Sequence, residues 1–259
     1  MSRISRWSST STRLSRRAAG RRWRGLSLKT ASQWLRDKLG YECRDPALLE
    51  SALTHRSAGG AHNERLEFLG DAVLNCVVAK LVFHEFATAD EGDLSRFRAS
   101  LVSGEALAVI AAEIDLGSQL RLGSGELKSG GFRRKSILAD ALEALFGAVY
   151  LDGGFDAAAA VIERLLVPKL DQLPSAAELK DPKTRLQEAL QARGLPLPSY
   201  AVESISGEAH NQVFQVRCSV SSLGLKVSAS GASRRRAEQA AAQLLLTAFH
   251  ESQGISPRP

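Results

Sequence analysis

The spacing of apolar residues over positions 35–170 predicts a succession of helices. Apolar side chains recur there every three or four residues, which is the period of an α-helix. One such repeat runs through Leu66, Leu69, Val73, Val77 and Leu81. No part of this region sustains an alternation of apolar and polar residues, and glycine-containing breaks separate the repeats. We therefore expect residues 31–172 to form an all-α domain.

The pattern changes to a period of two after residue 180. Residues 214–220 alternate apolar and polar side chains, which is typical of a half-buried strand. A Ser-Leu-Gly turn at residues 222–224 leads to a second alternating segment over residues 225–229. Residues 200–205 form a weaker segment of the same kind. These three segments predict three strands.

Capping residues predict a helix on each side of the strands. Asp181 is followed by Pro182, which is a favourable N-cap and first helical residue. Ser233 caps a last helix with an apolar stripe that includes Leu244. We expect residues 181–250 to form an α+β domain of order α-β-β-β-α. The chain is then a multidomain protein, with residues 173–180 as the linker.

Both ends of the chain lie outside these two domains. The first 30 residues are rich in Ser and Arg and contain no acid, so we expect a disordered basic extension over residues 1–30. Residues 251–259 form a C-terminal tail. A solvated tail, a nucleic-acid-binding arm and an organellar transit peptide all fit the composition of the extension.

Composition limits the class of protein. A chain of 259 residues with 44% hydrophobic and 24% charged residues is globular and large enough for two modest domains. The most apolar run, residues 72–83, is too short and too polar to cross a bilayer. Three widely spaced cysteines fit neither a disulfide framework nor paired metal ligands. We expect no membrane association and a reducing, cytoplasmic location.

The charge is distributed unevenly along the chain. The net charge is +9 over residues 1–30, −7 over residues 31–179 and +4 over residues 180–250, and the total is +6. An acidic block therefore lies between two basic ones. This arrangement favours a protein that concentrates divalent cations beside a phosphate backbone over one that only coats nucleic acid.

Two groups of carboxylates lie on predicted helix faces. Glu64, Glu67 and Asp71 fall within about 60° of one another on one helix. Asp140 and Glu143 share a face of an apolar helix that we expect Ser136 to open. Each acid alone could be a solvated edge or a favourable helix-dipole contact. As a set they suit Mg²⁺, which could activate water and stabilise the leaving oxygen of a phosphodiester.

Three separated polar surfaces are predicted in the second domain. One is the outer face of its first helix, one is the polar loop over residues 207–211, and one is the arginine-rich start of its last helix. Such a spacing matches two minor grooves and the intervening phosphates of A-form RNA. The residues expected there are Thr184, Gln187 and Glu188 on the helix, His210 in the loop, and Arg234, Arg235 and Arg236 at the last helix.

The segment over residues 63–74, Asn-Glu-Arg-Leu-Glu-Phe-Leu-Gly-Asp-Ala-Val-Leu, resembles the signature of the ribonuclease III family. Further segments resemble the family in the same order, over residues 53–57, 90–93, 125–131 and 137–151. Residues 181–250 resemble the double-stranded-RNA-binding domain that follows the nuclease domain. One domain of each kind is similar to the bacterial branch of the family. The resemblance leaves out the basic extension.

The resemblance implies a metal-dependent endonuclease that cuts double-stranded RNA to 5′-phosphate and 3′-hydroxyl ends with short 3′ overhangs. It also implies roles for single residues. The implied metal ligands are Glu67, Asp140 and Glu143, the implied catalytic acids are Asp71 and Glu143, and the implied supporting acids are Glu64 and Glu91. The implied cofactor is Mg²⁺, with Mn²⁺ able to substitute.

The family acts as a homodimer, and the resemblance gives Phe68 a part in that interface, although its position also suits ordinary core. Substrates in the bacterial branch include ribosomal RNA precursors and structured messenger and transfer RNA transcripts. One alternative is a non-catalytic RNA-binding protein that keeps the fold, which the presence of every family acid disfavours. A second alternative is an organellar form of the same enzyme, which the extension permits.

Overall fold

The computed structural model describes residues 28–208 and 211–252. The expected extension falls outside the described residues up to position 27, and the expected tail falls outside them from position 253. Residues 28–30, expected in the extension, belong to the first helix. The helices of the first domain are α1 (Leu28–Leu39), α2 (Pro46–Ala52), α3 (Glu64–Glu85), α4 (Glu91–Leu101), α5 (Gly104–Glu113), α6 (Ser124–Lys128), α7 (Lys135–Gly153) and α8 (Phe155–Leu170).

Helices α3 and α7 form the centre of the first domain. Helix α7 is apolar on most of its circumference, because α2, α3, α5 and α8 all pack around it. Its Leu142 and Phe146 are fully buried, as are Leu74 and Val78 of α3. Burial of one such side chain contributes about 1.5–3 kcal/mol relative to exposure. The rigid pair α3 and α7 therefore carries the two predicted groups of carboxylates.

The two central helices approach each other at a pair of glycines. A Cβ atom on Gly70 of α3 would lie 1.8 Å from the carbonyl oxygen of Glu143, and one on Gly147 of α7 would lie 2.2 Å from the carbonyl oxygen of Leu66. No side chain fits at either position, so the backbones touch. Helix α7 begins at Lys135 rather than at Ser136, and no side chain caps it.

The predicted linker is partly folded. Residues Ala176–Leu179 form the short helix α9, which begins with a capping box between Ser175 and Glu178. Leu173, Ala176 and Leu179 pack against the core of the first domain. Apolar residues at helical spacing explain this contact. The prediction of a linker rested instead on the single proline of the segment.

The second domain has the expected order of elements. Its helices are α10 (Pro182–Gln191) and α11 (Arg234–Ser252), and its strands are β1 (Ser199–Ser206), β2 (Val213–Val220) and β3 (Leu225–Gly231). The strands form an antiparallel sheet of order β1-β2-β3. The carboxylate of Asp181 accepts a hydrogen bond from the backbone N–H of Lys183, and the hydroxyl of Ser233 accepts one from that of Arg236, so both predicted caps are confirmed.

The core of the second domain lies between the two helices and one face of the sheet. Cys218 of β2 is buried there against Leu186 of α10 and against Leu245 and Phe249 of α11. Leu244, expected in the apolar stripe of α11, is 50% exposed, because the buried face of the helix turns through Ala241, Leu245 and Phe249 instead. The outward face of the sheet carries polar side chains.

Within the residues that the structure describes, none of the helices has both the length and the apolar character needed to span a membrane.

Candidate active site

All three predicted metal ligands converge at the crossing of α3 and α7. Glu67, Asp140 and Glu143 each offer a carboxylate oxygen, and these oxygens lie within 4.8 Å of one another. Glu67 lies one helical turn before Gly70, and Asp140 and Glu143 lie two turns and one turn before Gly147. The close backbone contact at the glycines therefore brings the two carboxylate-bearing faces together.

Glu143 is the most perturbed acid of the cluster. The pKa of its carboxyl is raised from 4.5 to about 7, first by burial and then by the negative charges of Asp71, Glu67 and Asp140, in that order. Burial raises a carboxyl pKa because the charged form loses hydration, and neighbouring carboxylates oppose a further negative charge. The cluster is thus a group of carboxylate oxygens with an excess of negative charge.

The other two members are perturbed in the same direction. The pKa of Glu67 is raised first by burial and then by the charges of Asp140 and Glu64, while the Arg56 guanidinium lowers it. The pKa of Asp140 is raised by burial and lowered by His55 and Arg56. Positive charge therefore reaches two of the three acids from the segment before α3.

These three side chains fit a divalent cation. All three are partly buried, which shields them from bulk water, and all are hard oxygen donors. A bound cation would balance the repulsion that raises the pKa of each carboxyl. A small number of carboxylates, with the remaining positions left for water and phosphate, is the usual environment of Mg²⁺ in proteins.

The remaining predicted acids occupy different positions. Asp71 is exposed on α3, and its carboxylate accepts a hydrogen bond from Asn75 Nδ2 at 2.9 Å. Its charge raises the pKa of both Glu67 and Glu143, so it lies beside the cluster. Glu64, at the first position of α3, lies 3.2 Å from Arg56. Glu91 lies in the exposed first turn of α4 and does not belong to the three-carboxylate group.

An open cleft of about 560 Å³ adjoins the cluster. Glu67 and Asp140 line it, together with His55, Arg56 and Arg134. No functional role is predicted from the sequence for these basic residues. For His55 and Arg56, the sequence feature that pointed to the site was their place in the segment over residues 53–57 that resembles the family. The cleft therefore opens onto two of the three predicted metal ligands and carries positive charge beside them.

Comparison with known proteins identifies the family of the chain. A family model described as Ribonuclease-III-like matches residues 45–170, and a double-stranded RNA binding motif matches residues 182–248. The chain belongs to the ribonuclease III family. It is accordingly a double-strand-specific endoribonuclease, and the acidic cluster agrees with the metal dependence of that family.

Similar proteins cover most of the chain. Ribonuclease 3 of Ralstonia nicotianae is 57% identical over 216 residues, which are 83% of this chain and 84% of that protein. Ribonuclease 3 of Bordetella avium is 58% identical over 224 residues, which are 86% of this chain and 88% of that protein. A solved nuclease domain of ribonuclease III from Campylobacter jejuni has a TM-score of 0.52 and 45% identity, and covers 54% of this chain and 98% of its own. That structure is described as flexible in a region involved in dimer formation.

Phe68 of this ribonuclease III chain is a large apolar side chain on the surface of α3. It is 81% exposed, so the reading of Phe68 as ordinary core is wrong for the single chain. Leaving a phenyl ring in water forfeits about 1.5–3 kcal/mol relative to burial. Phe68 follows Glu67 directly in α3, so its side chain points about 100° away from that of Glu67 around the helix axis.

The predicted RNA-binding residues of α10 and α11 are on the surface. Thr184, Gln187 and Glu188 are exposed on α10, and Arg234, Arg235 and Arg236 are exposed at the start of α11. His210 lies outside the described residues.

Ion pairs hold part of this surface in place. The Glu238 carboxylate accepts hydrogen bonds from Lys183 Nζ at 2.7 Å and from Arg234 Nε at 2.9 Å, and so ties α10 to α11. Both carboxylate oxygens of Glu188 accept from Lys180 Nζ, at 3.0 and 2.9 Å. Two helices that would contact RNA are therefore fixed at one spacing.

Proposed function

We propose that this ribonuclease III hydrolyses phosphodiester bonds of double-stranded RNA with Mg²⁺ held by Glu67, Asp140 and Glu143. The observation that supports this proposal is the convergence of three carboxylate oxygens, from two helices, within 4.8 Å beside an open cleft. The products would carry 5′-phosphate and 3′-hydroxyl ends with short 3′ overhangs. Mn²⁺ would substitute, because it accepts the same oxygen ligands.

The residues of the cluster would share the work. Magnesium, when bound, supplies a nucleophilic water at neutral pH and positive charge for the phosphate. Glu67 on α3 and Asp140 on α7 would hold the cation between the two helices. Glu143 contributes a ligand whose pKa is about 7 without metal and would fall when a cation binds, so that the carboxylate is ionised in the loaded site. Asp71, exposed beside the cluster, is positioned to face substrate and water, and we assign it with Glu143 as catalytic.

Two further acids would have supporting roles. Glu64 borders the cleft and lies 3.2 Å from Arg56, which supports a role in holding that side chain. Glu91 is not a member of the three-carboxylate group, so its supporting role would not be that of a ligand within this group.

The second domain would bind the duplex through three surfaces. We assign Thr184, Gln187 and Glu188 to one minor groove, His210 to a second, and the arginines at the start of α11 to the phosphates between them. The backbone amides at the start of α11 add to the attraction for phosphate. The arginines are Arg234, Arg235 and Arg236.

The enzyme would act as a homodimer with Phe68 in the interface. Its exposure supports this proposal, because a second copy would remove the ring from water. Each copy would then cut one strand. The proposed substrates are ribosomal RNA precursors and structured messenger and transfer RNA transcripts, and the proposed location is the cytoplasm, as for a bacterial RNA-processing enzyme.

Cleavage of a plain RNA duplex by the full chain tests the proposal. We expect cleavage with Mg²⁺, none with EDTA, and none for Glu143→Gln, which should still bind RNA because the second domain is intact. Glu113→Gln is the matched control, since Glu113 is an exposed acid of the same domain that pairs with Lys169. Metal-independent cleavage, or equal activity of Glu143→Gln and Glu113→Gln, would contradict the assignment.

A further inference from the structure

Arg56 is a cation on the wall of the cleft. It lies in the turn over residues 56–58, before α3, and its side chain is 71% exposed. Its Nη1 atom lies 3.2 Å from Glu64 Oε1. Because both residues line the cleft, the ion pair presents the guanidinium at the opening that leads to Glu67 and Asp140.

The charge of Arg56 acts on the metal ligands without neutralising them. Arg56 lines the same cleft as Glu67 and Asp140, and it lowers the pKa of both carboxyls. Among the described residues, however, its ion pair is with Glu64. A fixed cation beside metal ligands opposes metal binding, since like charges repel. That arrangement is useful if an anion also binds there and balances the added charge.

The backbone that carries Arg56 is anchored on both sides. The backbone N–H of His55 donates to the carbonyl oxygen of Arg121 at 2.9 Å. The hydroxyl of Ser57 accepts from the backbone N–H of Gly123 at 2.9 Å and contacts His55 Nδ1 at 2.8 Å. A side chain on such a fixed turn is held ready for its ligand, which lowers the cost of binding.

We propose that Arg56 binds a phosphate of the RNA strand next to the bond that is cut, and that Glu64 is a positioning residue that holds the guanidinium in the cleft. Arginine suits this role because its planar group donates two parallel hydrogen bonds to phosphate oxygens. The inference rests on the proposed cleavage site at Glu67, Asp140 and Glu143. It adds a nuclease-domain contact to RNA that is separate from the second domain.

Binding without metal gives the first test. We measure the dissociation constant of the full chain for an RNA duplex in EDTA over a range of salt concentrations. Loss of one phosphate contact reduces the slope of log K against log salt by about 1. We expect that reduction for Arg56→Ala and none for Arg36→Ala, whose arginine is also exposed and paired with an acid, Glu42. Equal slopes for wild type and Arg56→Ala would overturn the proposal.

Cleavage with Mg²⁺ gives the second test. Under single-turnover conditions with saturating RNA, Arg56→Ala should be about 10- to 100-fold slower, and Arg56→Lys should recover part of the rate. Since removal of the cation favours metal binding, the Mg²⁺ concentration for half-maximal rate should not rise. A rise that accounts for the slower rate would mean that Arg56 acts through the metal, and would overturn the proposal.

Neutral methylphosphonates, placed one at a time along the strand, identify the phosphate. A methylphosphonate at one linkage next to the cut should slow cleavage by the wild type as much as the Arg56→Ala substitution does. The same methylphosphonate should not slow cleavage by Arg56→Ala any further. Additive losses at every linkage would overturn the proposal. The wild-type rate on the unmodified duplex tests the proposed function separately, because absence of Mg²⁺-dependent cleavage there concerns the metal site and not Arg56.

The positioning role of Glu64 has its own readout. Glu64→Gln keeps an oxygen that accepts from Arg56 and should retain most of the rate, whereas Glu64→Ala should lose several-fold. In the Arg56→Ala background, Glu64→Ala should cause no further loss, which is the coupling expected of residues that act as a unit. If Glu64→Gln is as slow as Glu64→Ala, or the losses add, Glu64 acts by its charge and not through Arg56.

Discussion

Gly70 of α3 and Gly147 of α7 lie at one backbone contact, where the Cβ position of Gly147 is 3.1 Å from the amide nitrogen of Gly70. This contact decides which faces of the helices meet. With any larger residue the helices would separate, and the carboxylates one turn away would separate with them. The two glycines thus control the distance between Glu67 and the acids of α7.

Alanine at either glycine should therefore damage both stability and cleavage. In a free helix, Gly→Ala stabilises by about 0.5–1 kcal/mol. Here the new Cβ would overlap a backbone carbonyl oxygen, and overpacking of this kind costs about 1–3 kcal/mol or more. We expect Gly70→Ala and Gly147→Ala to lower the Tm and to reduce Mg²⁺-dependent cleavage strongly. Thermal unfolding and a cleavage assay measure the two effects.

Gly104 provides the matched control. It is also a helical glycine of the first domain, but a Cβ there would meet its nearest neighbour, Ala139 Cβ, at an ordinary 4.0 Å. Gly104→Ala should leave the Tm unchanged or raise it, with full activity. If Gly70→Ala behaves like Gly104→Ala, the backbone contact does not control the site.

The sequence predicts the two groups of carboxylates but not that they lie close together in the fold. Helical spacing alone places Glu67 with Asp71, and Asp140 with Glu143, because i, i+3 and i+4 residues share a face. Which two faces meet depends on long-range packing, and here on two glycines that have no side-chain pattern of their own. The prediction that Glu67 lies with Asp140 and Glu143 came from the resemblance to the ribonuclease III family and not from the helical period.

Other differences between prediction and structure have similar causes. Leu244 has the period of the buried stripe but lies at its edge, since sheet and helix cover only part of α11. Phe68 is apolar yet exposed, because none of the residues that the structure describes covers it. The basic residues of the cleft were missed, because Arg56 joins the site through the fold of a loop and not through any periodicity.

Removal of the Glu143 charge should stabilise the metal-free protein at alkaline pH. The folded pKa of about 7 lies above the ordinary value of 4.5, so the folded state binds this proton more tightly than the unfolded state does. The stabilising contribution is fully present below about pH 4.5 and is lost as the pH rises to about 7. At pH 8 the buried charge then opposes folding.

Glu143→Gln should accordingly have a higher Tm than wild type at pH 8 in EDTA, and a similar Tm at pH 5. After allowance for solvent screening of this half-buried group, about 1 kcal/mol remains, or roughly 2–4 °C. Mg²⁺ should raise the Tm of wild type and not that of the variant. A Tm difference that is the same at pH 5 and pH 8 would show that the charge of Glu143 does not oppose folding.

Phe68→Ala should weaken association of the chain with itself. Loss of a buried aromatic anchor from an interface commonly costs 2 kcal/mol or more, which is at least about 30-fold in the dissociation constant. Sedimentation equilibrium measures this constant. Leu197→Ala is the control, since Leu197 is 56% exposed and lies in the second domain. A dimer that tolerates Phe68→Ala would place the interface elsewhere.

The arginines at the start of α11 should contribute to RNA affinity through charge. Arg234 pairs with Glu238, and Arg235 and Arg236 are exposed beside it in the first turn of the helix. Each phosphate contact adds about 0.9 to the slope of log K against log salt, so Arg235→Ala with Arg236→Ala should reduce that slope by about 2.

Lys226 separates this local effect from one of net charge. It is exposed on β3, on the outward face of the sheet and opposite the two helices, so Lys226→Ala removes a cation from the same domain without touching α10 or α11. Filter binding of one RNA duplex at several salt concentrations measures Lys226→Ala, the two single arginine variants and the double arginine variant. The slope should be unchanged for Lys226→Ala. If it falls equally for Lys226→Ala and for each arginine variant, affinity follows the total charge of the domain, and the RNA surface has no preference for the start of α11.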